Sequence, residues 1–429
     1  MLGLTRYQWL VLFAAWLGWG FDVFDGLLFN FVAPICVPNL LHLRPGDPAT
    51  QKIIFLWTAS LTSLLLIGWA LGGILFGRIT DRLGRSRTLL LTMLTYALAT
   101  AACAFAPNIW VLGVFRFIAS LGIGGEWAAG AALVSESLPR EKRVVGGALL
   151  YSSASFGLFL ATLVNDTLTH RLTAIASDPN LSWRAVFLTG LVPAVVAVVI
   201  RLKVKEPDHW KPAETPRVAE LFAPNLRRRT LGGLAMSLVA LITWWSSSVF
   251  IPVVAANLAA RQNLHPAALA AATRAHYVSL GSNAFNLGGL VGTLLTIPIA
   301  SLGRRTLYRI YYLASVVALL VTFVPDWPPP TRLALLATLG LTVFGVFGSF
   351  TFYMPELFPM RLRGTGGGFT YNFGRLITAP FPFAVGALVR GGVDPLVVMS
   401  YLAIVPAIGA LLAFAGAPVE TLGEAEFTE

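Results

Sequence analysis

Twelve runs of about 20 apolar residues fill the 429-residue chain, at roughly 8–34, 53–77, 87–106, 109–134, 144–166, 183–202, 231–256, 275–300, 306–325, 333–353, 366–388 and 395–416. A helix needs about that length to cross the hydrocarbon of a bilayer. In that solvent every backbone amide must be bonded inside its own segment, so a chain of such runs folds as a helical bundle. Only 12% of the residues are charged, about half the share usual in soluble domains. The expected fold is an all-α membrane protein whose twelve spans form two six-helix bundles.

Charge orients the spans. Basic residues gather in alternate loops: Arg82/Arg85/Arg87, Arg140/Lys142/Arg143, Arg304/Arg305/Arg309 and Arg361/Arg363. The longest polar segment, 203–229, lies on the same side. The positive-inside rule makes that side cytoplasmic and puts both termini there. The net charge of +11 is spread over these loops rather than along one stripe, which argues against nucleic-acid binding. Cys36 and Cys103 lie in apolar runs and suggest neither a disulfide framework nor a metal site. The first run lacks a small-residue cleavage site and is interrupted by Asp22, so it reads as a retained helix.

The polar segment divides the chain into 1–202, a linker at 203–229, and 230–429 with a short acidic tail. The two parts repeat. SESLPREKRVVG (135–146) matches PELFPMRLRGTG (355–366), with Glu136/Glu356, Pro139/Pro359 and Arg143/Arg363 offset by 220, and LGR at 83–85 recurs at 302–304, offset by 219. Two motifs with nearly equal offsets indicate a duplicated six-helix unit. The copies differ where the first has Asp81 and the second Ala300.

Ionisable residues inside spans are suspects for function. They are Asp22, Asp25, Arg116, Glu126, His276 and Arg375. Counted at 1.5 Å per residue, Arg116 lies roughly 13 Å below the outer loop and Arg375 roughly 18 Å in from Arg363, so both approach the midplane. Asp22 sits near the centre of its span, with Asp25 one turn further out on the same helix face. His276, Ser279, Asn283 and Asn286 share one face of the eighth span, and Tyr371, Arg375 and Thr378 share one of the eleventh. The first stripe is expected to face a cavity, with His276 at its outer end as a gate or surface residue. Trp244 and Trp245 either wall a site or pack between helices. No Walker loop, catalytic triad or metal cluster is present, and no cofactor or enzymatic activity is expected.

The stretch GRITDRLGRSR (77–87) fits G-x-x-x-D-R-x-G-R-x-R and resembles the loop between helices two and three of the major facilitator superfamily. GWGFDVFDG (18–26) and RFIASLGIGGEW (116–127) resemble the proton-coupled organic-anion symporters of that superfamily, the sialate and lactate permeases and the aromatic-acid and metabolite symporters. The resemblance implies alternating access by a monomer in the cell membrane, a bacterial inner membrane by expectation. It implies a cytoplasmic latch from Gly77, Asp81, Arg82, Gly84, Arg85, Glu126, Glu136, Arg143, Glu356 and Arg363. The expected cargo is a small organic anion, a monocarboxylate such as lactate, carried with protons. Arg116, Arg375, Tyr371, Asn283, Asn286, His276 and Trp244 would bind it, since Arg pairs a carboxylate bidentately. Asp22, with Asp25 second, would carry the proton and be tuned by Arg116. A neutral-sugar symporter, an organic-phosphate exchanger and a non-transporting receptor of the same fold remain as alternatives.

Overall fold

The computed structural model describes residues 3–43, 48–196, 217–248, 250–262, 267–381, 384–385, 388 and 393–418, and among these there is no strand. Twelve main helices follow in order. The first six are α1 (Arg6–Leu41), α2 (Pro48–Leu83), α3 (Arg85–Cys103), α4 (Ile109–Ser137), α5 (Arg140–Asp166) and α6 (Pro179–Leu188). The second six are α7 (Arg227–Ser248), α8 (Ala267–Ala300), α9 (Arg304–Phe323), α10 (Pro329–Val343), α11 (Arg363–Thr378) and α12 (Ile404–Phe414), with short helices Ile251–Ala260, Phe350–Glu356 and Pro395–Tyr401 between them. They answer one to one to the expected spans. Nine stretches among the described residues are long and apolar enough to cross a membrane; of the other three expected spans, 183–202 and 366–388 run into residues outside those described, and 87–106 corresponds to the 19-residue α3, which is not among the nine.

Lipid offers no hydrophobic drive between helices, so close backbone packing has to hold the bundle. In the first half α2 and α3 pack on α4 and α1 on α5; in the second, α8 packs on α10, α9 on α12 and α7 on α11. Glycine makes the closest of these contacts possible. A side-chain carbon added at Gly124 would lie 2.0 Å from the Trp69 carbonyl, and one at Gly288 would lie 1.8 Å from that of Ala337. Large apolar side chains such as Leu98, Phe159, Leu411 and Phe414 remain exposed on the outside of the bundle, where lipid solvates them.

The duplication is visible in three dimensions. Gly84 and Gly303 stand just before α3 and α9 with φ of +103° and +100°, a conformation that favours glycine. The next residues, Arg85 and Arg304, pair with Glu136 at 2.9 Å and Glu356 at 3.0 Å. Residues 197–216, most of the expected linker, lie outside the described part. Its end is docked on the second half: Leu221 is buried, its carbonyl accepts from Thr230 Oγ1 at 2.6 Å, and Glu220 pairs with Arg361 at 2.6 Å. The Arg217 amide and Arg361 both hold the Glu220 carboxyl below its ordinary range.

Candidate functional site

Three polar groups interrupt this apolar bundle. The first lies where the halves meet, with α2 and α4 packed on α11, and α5 on α8 and Phe350–Glu356. Arg375, on α11, is 3% exposed. Its guanidinium lies 4.1 Å from the Trp69 ring centre and 4.3 Å from that of Tyr371, and it donates to Asn372 Oδ1 at 2.5 Å. Its Nε has no acceptor, and no described carboxylate forms an ion pair with it. Around it runs an aromatic wall from both halves. Tyr371 stacks on Trp127 at 4.3 Å and its hydroxyl meets that of Tyr151 at 3.2 Å. Tyr151 touches Trp19, Phe344 and Phe347, and Trp244 lies on the same two phenylalanines. The buried indole N–H groups of Trp19, Trp69, Trp127 and Trp244 lack acceptors among the described residues. A cation with a free donor, flanked by flat rings and unused N–H groups, can receive an anion with a planar skeleton.

The second group is inside the first half. Arg116 is bound to α1, donating to the Asp25 carbonyl at 3.2 Å and the Gly26 carbonyl at 3.1 Å, and lying 3.5 Å from the Asp25 carboxylate. Thr100 also donates to Asp25, at 2.5 and 2.7 Å. The expected pairing of Arg116 with Asp22 is therefore corrected: Asp25 takes that place. Asp22 is fully buried with no hydrogen-bond partner at either oxygen among the described residues, and its electrostatic neighbours there are Glu126, Asp25 and Arg375.

The third group closes the basic face. Asp81 Oδ1 accepts from the Gly364 amide at 3.0 Å, and Oδ2 accepts from the Thr365 amide and hydroxyl, both at 2.7 Å. The carboxylate thus sits on the N-terminus of α11, where a negative charge is favoured. Arg85 grips Glu136 through two bonds of 2.9 Å and donates to the Met360 carbonyl at 2.8 Å, while Arg363 reaches Glu136 at 2.9 Å. Gly77 allows the crossing, because a side-chain carbon there would lie 2.6 Å from the Gly364 carbonyl. Arg143 donates to the Leu138 carbonyl at 3.3 Å. Glu356 pairs with Arg304 within the second half, and Arg82 is exposed outside the buried group.

Glu126 does not join this latch. Helix α4 runs on to Ser137, which leaves Glu126 about 16 Å from that end. It accepts from Thr92 at 3.0 Å and fills the space beside Gly18 on α1. Among the described residues no hydrogen bond or ring contact joins the α8 stripe to Arg375. His276 and Asn283 are exposed and Asn286 half-buried, on the side of α8 away from Gly281 and Gly288, which pack on α10. His276 meets Tyr277, and Asn283 donates to Ser279 at 3.4 Å. Thr378 donates to its own helix at Gly374. Of the aromatic wall the sequence singles out Tyr371 and Trp244 and misses Trp19, Trp69, Trp127, Tyr151, Phe344 and Phe347. Its members are single aromatics on separate spans, and nothing in the order of residues shows that they converge.

Comparison with known proteins gives the family. The chain is 26% identical to the gentisate transporter of Corynebacterium glutamicum over 393 residues, 87% of this chain and 80% of that one. It is 28% identical to the cis,cis-muconate transport protein of Acinetobacter baylyi over 347 residues, 77% of this chain and 78% of that one. Its fold matches the proton:xylose symporter XylE bound to 6-bromo-6-deoxy-D-glucose, with a TM-score of 0.76 over 96% of both chains at 14% identity. The profile of the Major Facilitator Superfamily matches residues 9–382. The chain is a member of that superfamily, a multi-pass membrane transporter rather than an enzyme.

Proposed function

We propose that the protein is a proton-coupled symporter of a small organic anion, best a monocarboxylate with a flat, unsaturated skeleton, working by alternating access as a monomer. The observation that carries this reading is Arg375: a buried guanidinium with no ion-paired carboxylate among the described residues, set between two aromatic rings. Those walls suit an aromatic or conjugated acid better than lactate, and relatives named for gentisate and cis,cis-muconate transport support an organic acid of that kind, though not its number of carboxylates. Both bundles, 1–202 and 230–429, contribute to the site. In this reading the basic face is cytoplasmic, both termini lie there, and the latch holds that face shut.

Coupling follows from Asp22. A buried carboxylate is disfavoured as an ion by desolvation and favoured by a nearby cation. The cation in its electrostatic field is Arg375. When a substrate carboxylate occupies Arg375, the guanidinium shares its charge, and Asp22 holds a proton more readily. Linkage makes the effect mutual, so protonation tightens substrate binding. Asp22→Asn imitates the protonated form. It is expected to bind gentisate, to exchange it across the membrane, and to lose pH-driven accumulation in liposomes by tenfold or more. Normal accumulation by Asp22→Asn contradicts this role. Wild-type counterflow of xylose but of neither gentisate nor cis,cis-muconate contradicts the anion reading.

A further inference from the structure

The coupling reading uses Asp22 and leaves Glu126 without a task. Glu126 is 1% exposed and has one oxygen bonded to Thr92, while its Oε1 has no partner among the described residues. No described Lys or Arg forms an ion pair with it. Gly18 makes room for it, since a side-chain carbon there would lie 2.0 Å from Oε1. Asp22 stands four residues along α1 from Gly18, about 6 Å further from the basic face on the same side of the helix.

Helix α3 supplies what lies between the carboxyls. Thr92, Tyr96 and Thr100 are spaced by four residues and share one face. Thr92 bonds Glu126 at one end, and Thr100 bonds Asp25 at the other. Tyr96 sits between them, fully buried, its hydroxyl unpartnered and in the electrostatic field of Asp22, Glu126 and Asp25. The directions of the helices agree with this order. α1 and α3 run away from the basic face and α4 runs towards it, so Arg116, Asp25 and Thr100 meet at one level. Glu126, Gly18 and Thr92 meet at a lower one. The remaining charged groups facing the set are Arg116 on α4, committed to Asp25, and Arg375 on α11, facing Asp22.

We propose that Glu126 is a second proton-carrying carboxyl, and that it forms with Asp22 and the hydroxyl face of α3 a proton path inside the first half, separate from the substrate arginine. This rests on the coupling reading above. Two buried carboxyls without a cation between them are poorly held as two ions; one proton shared over the pair removes a charge. In the transfer the Asp22 O–H bond breaks and the Glu126 O–H bond forms. The Tyr96 hydroxyl gives its hydrogen to Glu126 as it takes the one from Asp22. No net charge is created, and the proton ends about one helical turn nearer the basic face.

Glu126→Gln keeps an acceptor for Thr92 at nearly the same volume. In liposomes it is expected to retain gentisate counterflow within about twofold of wild type while pH-driven accumulation falls tenfold or more. Tyr96→Phe removes only the hydroxyl and is expected to slow pH-driven uptake severalfold with counterflow intact; it decides the matter if Glu126→Gln folds poorly. Full accumulation by both variants, with Asp22→Asn still defective, overturns the path and leaves the coupling reading standing. Accumulation by wild type that follows a sodium gradient, or no gradient, overturns the coupling reading itself.

Discussion

If Arg375 anchors the substrate as proposed, Arg375→Lys is expected to lose carboxylate binding by roughly 10²-fold, while the protein stays folded and its thermal unfolding stays near that of wild type. The size follows from what lysine cannot do. A point ammonium replaces the planar fork, so one of two parallel charge-assisted bonds is lost, a change of about 1.5–3 kcal/mol. The stacking between Trp69 and Tyr371 is lost as well, because a flat cation fits between rings and an ammonium does not. Calorimetric titration of purified protein with gentisate measures the effect. Arg116→Lys is a weaker test of the substrate site, since Arg116 is already occupied by α1. Unchanged affinity for Arg375→Lys removes the anchor role.

Asp81→Asn is expected to shift the protein towards the conformation open at the basic face. The carboxylate accepts three bonds from Gly364 and Thr365 across the two halves. Asparagine keeps one good acceptor and loses the charge that suits the end of α11. Loss of two bonds to a charged group amounts to about 3 kcal/mol, or a factor of roughly 10² in a two-state equilibrium. Arg85 would also lose one of its two carboxylate neighbours. Ala300→Asp, at the matching place in the second half, is expected to produce no equal shift. Spin-label distances across the basic face in liposomes report the population. If Asp81→Asn leaves those distances unchanged, the latch does not set the resting state.

Much of this was legible before any coordinates. Residues at four-residue spacing share a helix face whatever the fold, which is why Tyr371 and Arg375 could be grouped. Asp81, Arg85, Glu136 and Arg363 stood in loops whose repeat fixed their level in the membrane. The pairings were harder. Asp22 and Asp25 differ by less than one turn, and which of them meets Arg116 depends on how far α1 slides along α4. Helix α1 spans 36 residues, longer than the bilayer needs, so its register could not be counted from an edge. The assignment of Glu126 to the latch fails for a related reason: the apolar run at 109–134 ends before the helix does, at Ser137. The hydroxyl face of α3 carried a signal, Thr92, Tyr96 and Thr100 at equal spacing. Uncharged hydroxyls in a span are common, and only the carboxyls opposite give them a meaning.

In a proton-coupled symporter, carboxylate and proton move together. The direct measurement places purified protein in liposomes with a trapped pH dye, adds gentisate outside, and records internal pH beside uptake of labelled gentisate. Protein-free vesicles and Arg375→Ala serve as controls for leakage of the neutral acid. The prediction is internal acidification that begins with gentisate entry, scales with it, and is absent in both controls. Protein-dependent gentisate entry with no accompanying change of internal pH would contradict it.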